Sequence, residues 1–108
     1  MVNSKKKGAR GEREVAELLR KHGYEARRGQ QYSGSPDSPD VVSNMEGFHH
    51  EVKFVERFNV YNALHQAIDD KGEDEMPLVW HRKKREDWIV CMYAEDFLNI
   101  LKEKENEG

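Results

Sequence analysis

The strictest pattern in this chain is a run of eight residues, 48–55, in which two kinds of side chain alternate. One set comprises Phe48, His50, Val52 and Phe54, and the other comprises His49, Glu51, Lys53 and Val55. Because successive side chains of a strand point to opposite faces, residues 48–55 are predicted to form a strand. Its first face is largely apolar, which requires a sheet covered by at least one packed layer.

Helical and strand-like patterns flank this strand in a definite order. Residues 9–22 carry apolar side chains at helical spacing and stop at Gly23. Residues 59–71 repeat that spacing between a plausible cap at Asn59 and a plausible end at Gly72. Further elements are predicted as strands at 24–28, 40–43, 78–83 and 88–93, and as a helix at 95–104. This order predicts an α/β fold, a three-layer-like sandwich with a mixed central β-sheet flanked by helices.

The length of 108 residues predicts a single domain over 1–108, with residues 1–8 as a flexible basic tail. Cys91 is the sole cysteine, which excludes an internal disulfide and a thiolate zinc cage. No apolar run approaches the ~20 residues of a membrane span, and no apolar signal segment follows the charged start. We therefore expect a soluble, cytoplasmic protein with no membrane partner.

Charge is distributed unevenly along the chain. Residues 1–28 hold nine Lys/Arg against four Asp/Glu, whereas residues 29–108 hold nine against seventeen. A basic amino end on an acidic remainder fits contact with a polyanion on one face. A solvated basic tail would produce the same distribution, so charge alone leaves both interpretations open.

Two carboxylates and a lysine are candidates for a catalytic site that binds a divalent cation. Glu51 and Lys53 project from one strand face, although an exposed ion pair is the simpler explanation for such a pair alone. Asp40 lies eleven residues before Glu51, where a Gly/Pro/Ser-rich loop enters a strand, and a turn at 44–47 would bring the two side by side. Convergent carboxylates supply the oxygen ligands that Mg²⁺ or Mn²⁺ prefers.

Glu12 is a further acidic candidate, because it lies on the apolar stripe of the first helix. A carboxylate facing the core is costly unless it is paired or bound to a metal. A place in the first helical turn, where acids favour the dipole, is the alternative. The acidic stretch 69–75 lacks an EF-hand ligand pattern and is interpreted as a solvated helix end and loop.

Four short motifs in order resemble the PD-(D/E)xK nuclease superfamily, and within it most closely the archaeal-type Holliday junction resolvases and their phage relatives. They are Gly11-Glu12-Arg13-Glu14, Arg27-Arg28, Ser38-Pro39-Asp40-Val41-Val42 and Glu51-Val52-Lys53. The resemblance covers roughly residues 8–55. It implies a restriction-endonuclease-like core.

The resemblance also implies roles for individual residues. Asp40 and Glu51, with the carbonyl of Val52, would bind Mg²⁺ or Mn²⁺. Lys53 would orient the attacking water and balance charge in the transition state. Glu12 would complete the acidic site or bind a second metal.

DNA contacts follow from the same resemblance and from the basic amino end. The expected DNA-binding residues are Lys5, Lys6, Lys7, Arg10, Arg13, Arg28 and a loop serine, Ser33 or Ser35. Asp37 also follows a proline and competes with Asp40 as the metal ligand; Asp40 is preferred because a β-branched strand follows it directly. His49 and Gln66 are possible accessory residues, but an exposed, solvent-facing position is the favoured expectation for each.

These expectations combine into a metal-dependent, structure-specific DNA endonuclease, a Holliday junction resolvase that hydrolyses phosphodiester bonds through metal-activated water. Two symmetric cuts in a junction need two active sites, so a homodimer is expected, and the resemblance allows a phage-encoded protein. The apolar residues Trp80, Trp88, Phe97, Leu98 and Leu101 would either form the dimer contact or complete the monomer core.

Three alternatives remain open from sequence. The first is a nuclease of the same superfamily that acts on nicks, flaps or plain duplex. The second is a non-catalytic nucleic-acid-binding domain that keeps the fold and binds through residues 5–13 and 81–85. The third is a protein-interaction domain in which the motifs match by chance.

Overall fold

The computed structural model describes residues 4–29 and 39–107. Its elements are α1 (Ser4–Lys21), β1 (Ala26–Arg28), β2 (Val41–Ser43), β3 (Phe48–Phe54), α2 (Val60–Asp70), β4 (Met76–Arg82), β5 (Ile89–Cys91) and α3 (Ala94–Glu107). Within these ranges the predicted order of helix, three strands, helix, two strands, helix is confirmed.

The described strands form one sheet in the order β1-β2-β3-β4-β5. Neighbouring strands are antiparallel except for β3 and β4, which run parallel from Phe48 opposite Met76 to Phe54 opposite Arg82. The parallel pair is joined by α2, as a crossover connection requires. The predicted mixed sheet is therefore confirmed.

Helices cover the two faces of this sheet. The core beneath α1 consists of Val15, Ala16, Leu19, Val41, Val52, Leu78 and Trp80. The core beneath α2 consists of Ala63, Leu64 and Val79. Since Val79 alternates with Leu78 and Trp80 along β4, the two helices lie on opposite faces, and the architecture is the expected three-layer sandwich.

Gly11 allows α1 to lie close to β3. A Cβ at Gly11 would lie 2.9 Å from the Phe54 Cβ and 3.4 Å from Val52 Cγ1. One turn further along α1, Glu14 accepts hydrogen bonds from Arg82 Nε at 2.9 Å and Trp88 Nε1 at 3.0 Å. This close approach carries the neighbouring Glu12 toward the strand that holds Glu51.

The expected flexible tail over residues 1–8 is wrong for residues 4–8, which belong to α1. Lysine has a good helix propensity, and Lys7 is also held from outside the helix. Its Nζ lies 3.3 Å from Glu56 Oε2 and 4.7 Å from the centroid of the Phe54 ring. Residues 1–3 lie outside the described ranges.

β1 is shorter than the predicted strand at 24–28, because Tyr24 and Glu25 belong to the turn that follows α1. The Tyr24 N–H donates to the Leu19 carbonyl at 3.1 Å, and the Glu25 N–H donates to Asn44 Oδ1 at 3.0 Å. The expected cap of α2 is confirmed, since Asn59 Oδ1 accepts from the Asn62 N–H at 3.0 Å. The start of α1 lies five residues before its predicted position, and the other boundaries differ from prediction by at most three residues.

The late apolar residues divide into two groups. Trp80 is 8% exposed and Trp88 packs against the α1 core, so both tryptophans complete the monomer. Phe97 and Leu98 are 49% and 60% exposed, and α3 has no buried residue in the part of the chain that the structure describes. Within the described ranges, no helix has the length and apolar character needed to cross a membrane.

Candidate functional site

A cleft of about 480 Å³ opens where the amino-terminal half of α1 meets β3 and α2. It is lined by Lys7, Gly8, Glu12, Asp40, Glu51, Val52, Lys53, Phe54, Val55, Glu56 and Gln66. The four acidic and basic residues expected to form the site, Glu12, Asp40, Glu51 and Lys53, all face this cleft.

Asp40 is fixed beside Glu51 by the backbone of β3. The Asp40 N–H donates to the His50 carbonyl at 3.0 Å, and its Oδ2 accepts from the Val52 N–H at 2.8 Å. The carboxylate therefore accepts a hydrogen bond from a β3 N–H at the point where β2 no longer pairs with it. In this position Asp40 is only 7% exposed. This arrangement explains why the acidic residue directly precedes the strand.

Glu51 carries a strongly shifted pKa. Burial raises the pKa of its carboxyl to about 8, and the negative charge of Asp40 adds to the increase while Lys53 opposes it. Glu51 is only 3% exposed. Two buried, adjacent carboxylates with one nearby ammonium lack positive charge, and their hard oxygens are the donors that a divalent cation prefers. The donor set thus fits Mg²⁺ or Mn²⁺.

Lys53 lies beside Glu51 on the same face of β3. Its Nζ lies 3.7 Å from Glu51 Oε1 and donates to Gln66 Oε1 at 3.0 Å. Gln66 is exposed, as the solvent-facing expectation has it, and it also lines the cleft; an accessory role in the reaction stays a prediction.

Glu12 and Arg28 form an ion pair at the mouth of the cleft, with Arg28 Nε 3.0 Å from Glu12 Oε1. Burial raises the pKa of Glu12, the Arg28 hydrogen bond opposes this, and the charge of Asp40 raises it further. The structure therefore brings together two residues that are sixteen apart in sequence. Arg28 reaches the acidic group from the end of β1.

The remaining basic candidates occupy different positions on α1. Lys7 lines the cleft, whereas Arg10 is tied to Glu14 at 2.9 Å on the adjacent turn. Three others are exposed along the helix, namely Lys5, Lys6 and Arg13. Ser33, Ser35 and the competing ligand Asp37 lie outside the described residues.

His49 corrects a sequence expectation, because an exposed side chain was favoured and the residue is 1% exposed. His49 and Glu51 project from the same face of β3, and α2 covers that face. His49 Nε2 lies 3.8 Å from Glu51 Oε2, and Nδ1 lies 3.8 Å from Glu75 Oε1. His49 is therefore buried because α2 packs over this face of the sheet.

Asp70 is a residue that sequence reasoning missed. Donor atoms of His49, Glu51 and Asp70 lie within 4.8 Å of one another. A signal was present, since Asp70 follows the buried Ala63 by seven and Ala67 by three, which places it on the sheet-facing stripe of α2. The acidic composition of 69–75 concealed this periodicity.

His50 and His81 are buried for structural reasons. Burial lowers the pKa of His50 to about 4, and its Nδ1 accepts from Trp80 Nε1 at 3.0 Å. His81 stacks on Phe58 with ring centroids 3.8 Å apart, and its Nε2 lies 3.0 Å from the Val55 carbonyl oxygen. His81 is therefore not available for the nucleic-acid surface that the non-catalytic alternative assigned to residues 81–85.

Comparisons with known proteins show the family and the fold of this chain. A search of curated proteins found no match. Among solved structures, the chain is similar to Archaeoglobus fulgidus Hjc, a Holliday junction resolvase from an archaeal hyperthermophile, with 25% identity and a TM-score of 0.57 over 77% of this chain and 74% of that chain. Residues 3–96 match the family described as archaeal Holliday junction resolvase (Hjc). The chain therefore belongs to the archaeal Holliday junction resolvase family.

Proposed function

We propose that this chain is a metal-dependent endodeoxyribonuclease that cuts four-way DNA junctions with Asp40, Glu51 and Lys53 as its reacting groups. Membership of the resolvase family makes it a nuclease. The observation that carries the proposal is the convergence of Asp40, Glu51, Lys53 and Glu12 on one cleft. A domain that only bound nucleic acid would gain nothing from buried carboxylates, because they repel phosphate.

Asp40 and Glu51 are the residues proposed to hold the cation, with the Val52 carbonyl as a third donor. When bound, Mg²⁺ or Mn²⁺ would polarise a phosphate oxygen and lower the pKa of an attacking water. The Val52 N–H keeps the Asp40 carboxylate in place, so one ligand is positioned before any ion binds. Such preorganisation reduces the reorganisation needed during the reaction.

Lys53 is proposed to orient the nucleophile and to stabilise the charge that develops on the phosphate. Its ammonium is held between Glu51 and Gln66, at 3.7 Å and 3.0 Å. Glu12 would complete the acidic site, and its partner Arg28 would exchange this carboxylate for a backbone phosphate or contact both. Lys7 faces the same cleft and would contact the DNA strand that enters it.

A homodimer is proposed as the active form. One described chain carries one such cleft, and paired cuts across a junction require two. The exposed apolar residues of α3, Phe97, Leu98 and Leu101, offer a patch that could meet its copy across a two-fold axis. A stable interface of this kind should bury at least ~1,000 Å² in total.

The experiment compares cleavage of a four-way junction, a flap, a nicked duplex and a linear duplex by the purified protein, with and without Mg²⁺. We expect junction cleavage with symmetric cuts in opposed strands. Preferential cleavage of flaps or nicks would contradict the junction specificity, and a lack of cleavage on every substrate with Mg²⁺ and Mn²⁺ would contradict the enzyme assignment.

A further inference from the structure

His49 has a buried ring nitrogen that the nuclease site does not use. Its Nε2 has no hydrogen-bond partner among the described residues, and the residue is only 1% exposed. A buried polar atom without a partner destabilises the fold. The atom points toward Glu51 Oε2 at 3.8 Å, which is too long for a hydrogen bond and leaves room for an ion between them.

Asp70 supplies a third donor on the same side. The donor atoms of His49, Glu51 and Asp70 lie within 4.8 Å of one another. Donors around one ion lie up to ~4 Å apart, twice a metal–ligand distance of ~2.1 Å, so a small side-chain adjustment would bring all three onto one cation. The three residues come from β3 and from the carboxyl end of α2.

Glu75 lies near the second ring nitrogen of His49, and a small side-chain movement would bring it within hydrogen-bond distance. Its Oε1 accepts from the Gly72 N–H at 2.7 Å and lies 3.8 Å from His49 Nδ1. In metal sites the second ring nitrogen of a histidine ligand commonly faces a carboxylate, which fixes the tautomer and raises the basicity of the ligating nitrogen. A Glu75–Nδ1 hydrogen bond formed on metal binding would direct the Nε2 lone pair toward Glu51 and Asp70.

We propose that His49, Glu51 and Asp70 form a second divalent-cation site, which takes a transition-metal ion such as Zn²⁺ or Co²⁺ in preference to Mg²⁺. An imidazole ligand suits these ions, whereas Mg²⁺ selects oxygen. The Glu51 carboxylate is shared, with Oε1 facing Lys53 and Oε2 facing His49. The inference rests on the proposed function only for this sharing of Glu51 with the nuclease site.

The test is calorimetric titration of the metal-stripped, DNA-free protein with Zn²⁺, supported by visible absorption spectra with Co²⁺ as a probe of nitrogen ligation. The variants are His49→Gln, Asp70→Asn and Glu75→Gln. Asp69→Asn is the matched control, because Asp69 is the exposed neighbour on the same helix. Asp40→Asn removes a proposed ligand of the nuclease site alone, and circular dichroism verifies the fold of each variant.

We expect His49→Gln and Asp70→Asn to weaken Zn²⁺ binding by about tenfold or more and Glu75→Gln by about tenfold, with Asp69→Asn and Asp40→Asn retaining it. Asp70→Asn carries the test if His49→Gln does not fold, because Asp70 is only partly buried at a helix end. Unchanged Zn²⁺ affinity in Asp70→Asn would overturn the proposal, as would a loss confined to Asp40→Asn. Because no DNA is cut here, a failure of junction cleavage is a separate result.

Discussion

Strand β3 buries polar side chains, whereas helix α3 exposes apolar ones. In β3 the polar residues His49, His50 and Glu51 are 1%, 2% and 3% exposed, whereas in α3 the apolar residues Phe97 and Leu98 are 49% and 60% exposed. Burial of polar groups is costly unless they are paired or bind an ion, and exposure of apolar groups forgoes hydrophobic stabilisation. His50 is paired with Trp80, so His49 and Glu51 are the groups of β3 that fit a cation. We propose that a cation completes this part of β3 and that a second copy of the chain covers the apolar face of α3.

The largest effect is expected from the acidic pair at the cleft. Asp40→Asn and Glu51→Gln should each lower junction cleavage by on the order of 10³-fold or more while DNA binding is retained, because each removes one charge from the proposed cation site. Single-turnover cleavage and gel-shift titrations measure the two properties. Asp37→Asn serves as the control and should stay active; wild-type cleavage by both site variants would contradict the assignment.

Glu51 should also set how the stability of the metal-free protein depends on pH. Its pKa is raised from 4.5 to about 8, so the folded state holds one more proton than the unfolded state between these values. The contribution of Glu51 to stability is therefore most favourable below about pH 4.5 and is lost as pH rises to about 8, with a slope of up to ~1.4 kcal/mol per pH unit.

Urea denaturation in EDTA at several pH values measures this dependence. Glu51→Gln should remove that part of the slope and should be more stable than wild type at pH 8 by on the order of a few kcal/mol. Equal slopes in the two proteins would show that Glu51 does not bind the extra proton. The comparison of variants cancels the contribution of other titrating groups.

The exposed face of α3 predicts association. Light scattering of the wild type at micromolar concentration should give twice 12.7 kDa, and substitution of Phe97, Leu98 and Leu101 by serine should give a folded monomer. Lys102→Ser on the same helix is the matched control and should remain dimeric. A wild-type mass of 12.7 kDa would refute the dimer and favour nicks or flaps as substrates.

The smallest effect concerns the basic start of α1. Replacement of Lys5, Lys6 and Lys7 by glutamine should weaken DNA binding and reduce the log–log salt slope by up to about three. Lys7 should contribute when assayed alone, because it faces the cleft. A slope that does not change would mean that these lysines stabilise the helix without contacting phosphates.

Much of this molecule could be predicted from local patterns. Alternation at 48–55 located the central strand, and Asp40, Glu51 and Lys53 were expected together because a short turn joins their strands. The burial of His49 could not be predicted in this way, since it depends on α2 crossing that face of the sheet. The position of Asp70 beside His49 and Glu51 was missed for the same reason, and the early start of α1 depends on contacts of Lys7 with Glu56 and Phe54.

The localisation and the phage origin expected from sequence stay predictions, as do the single-domain boundaries and the choice between Asp40 and Asp37 as ligand. The last of these is tested by the paired asparagine variants described above. Asp40 is favoured because its Oδ2 is bonded to the Val52 N–H beside Glu51.

Metal dependence of junction cleavage tests the central claim most directly. The wild-type protein is incubated with a labelled four-way junction in EDTA, and Mg²⁺ or Mn²⁺ is then added in excess. Cleavage should be absent in EDTA and restored by either ion, because Asp40 and Glu51 together lack the positive charge that the reaction needs. Undiminished cleavage in EDTA would contradict the account.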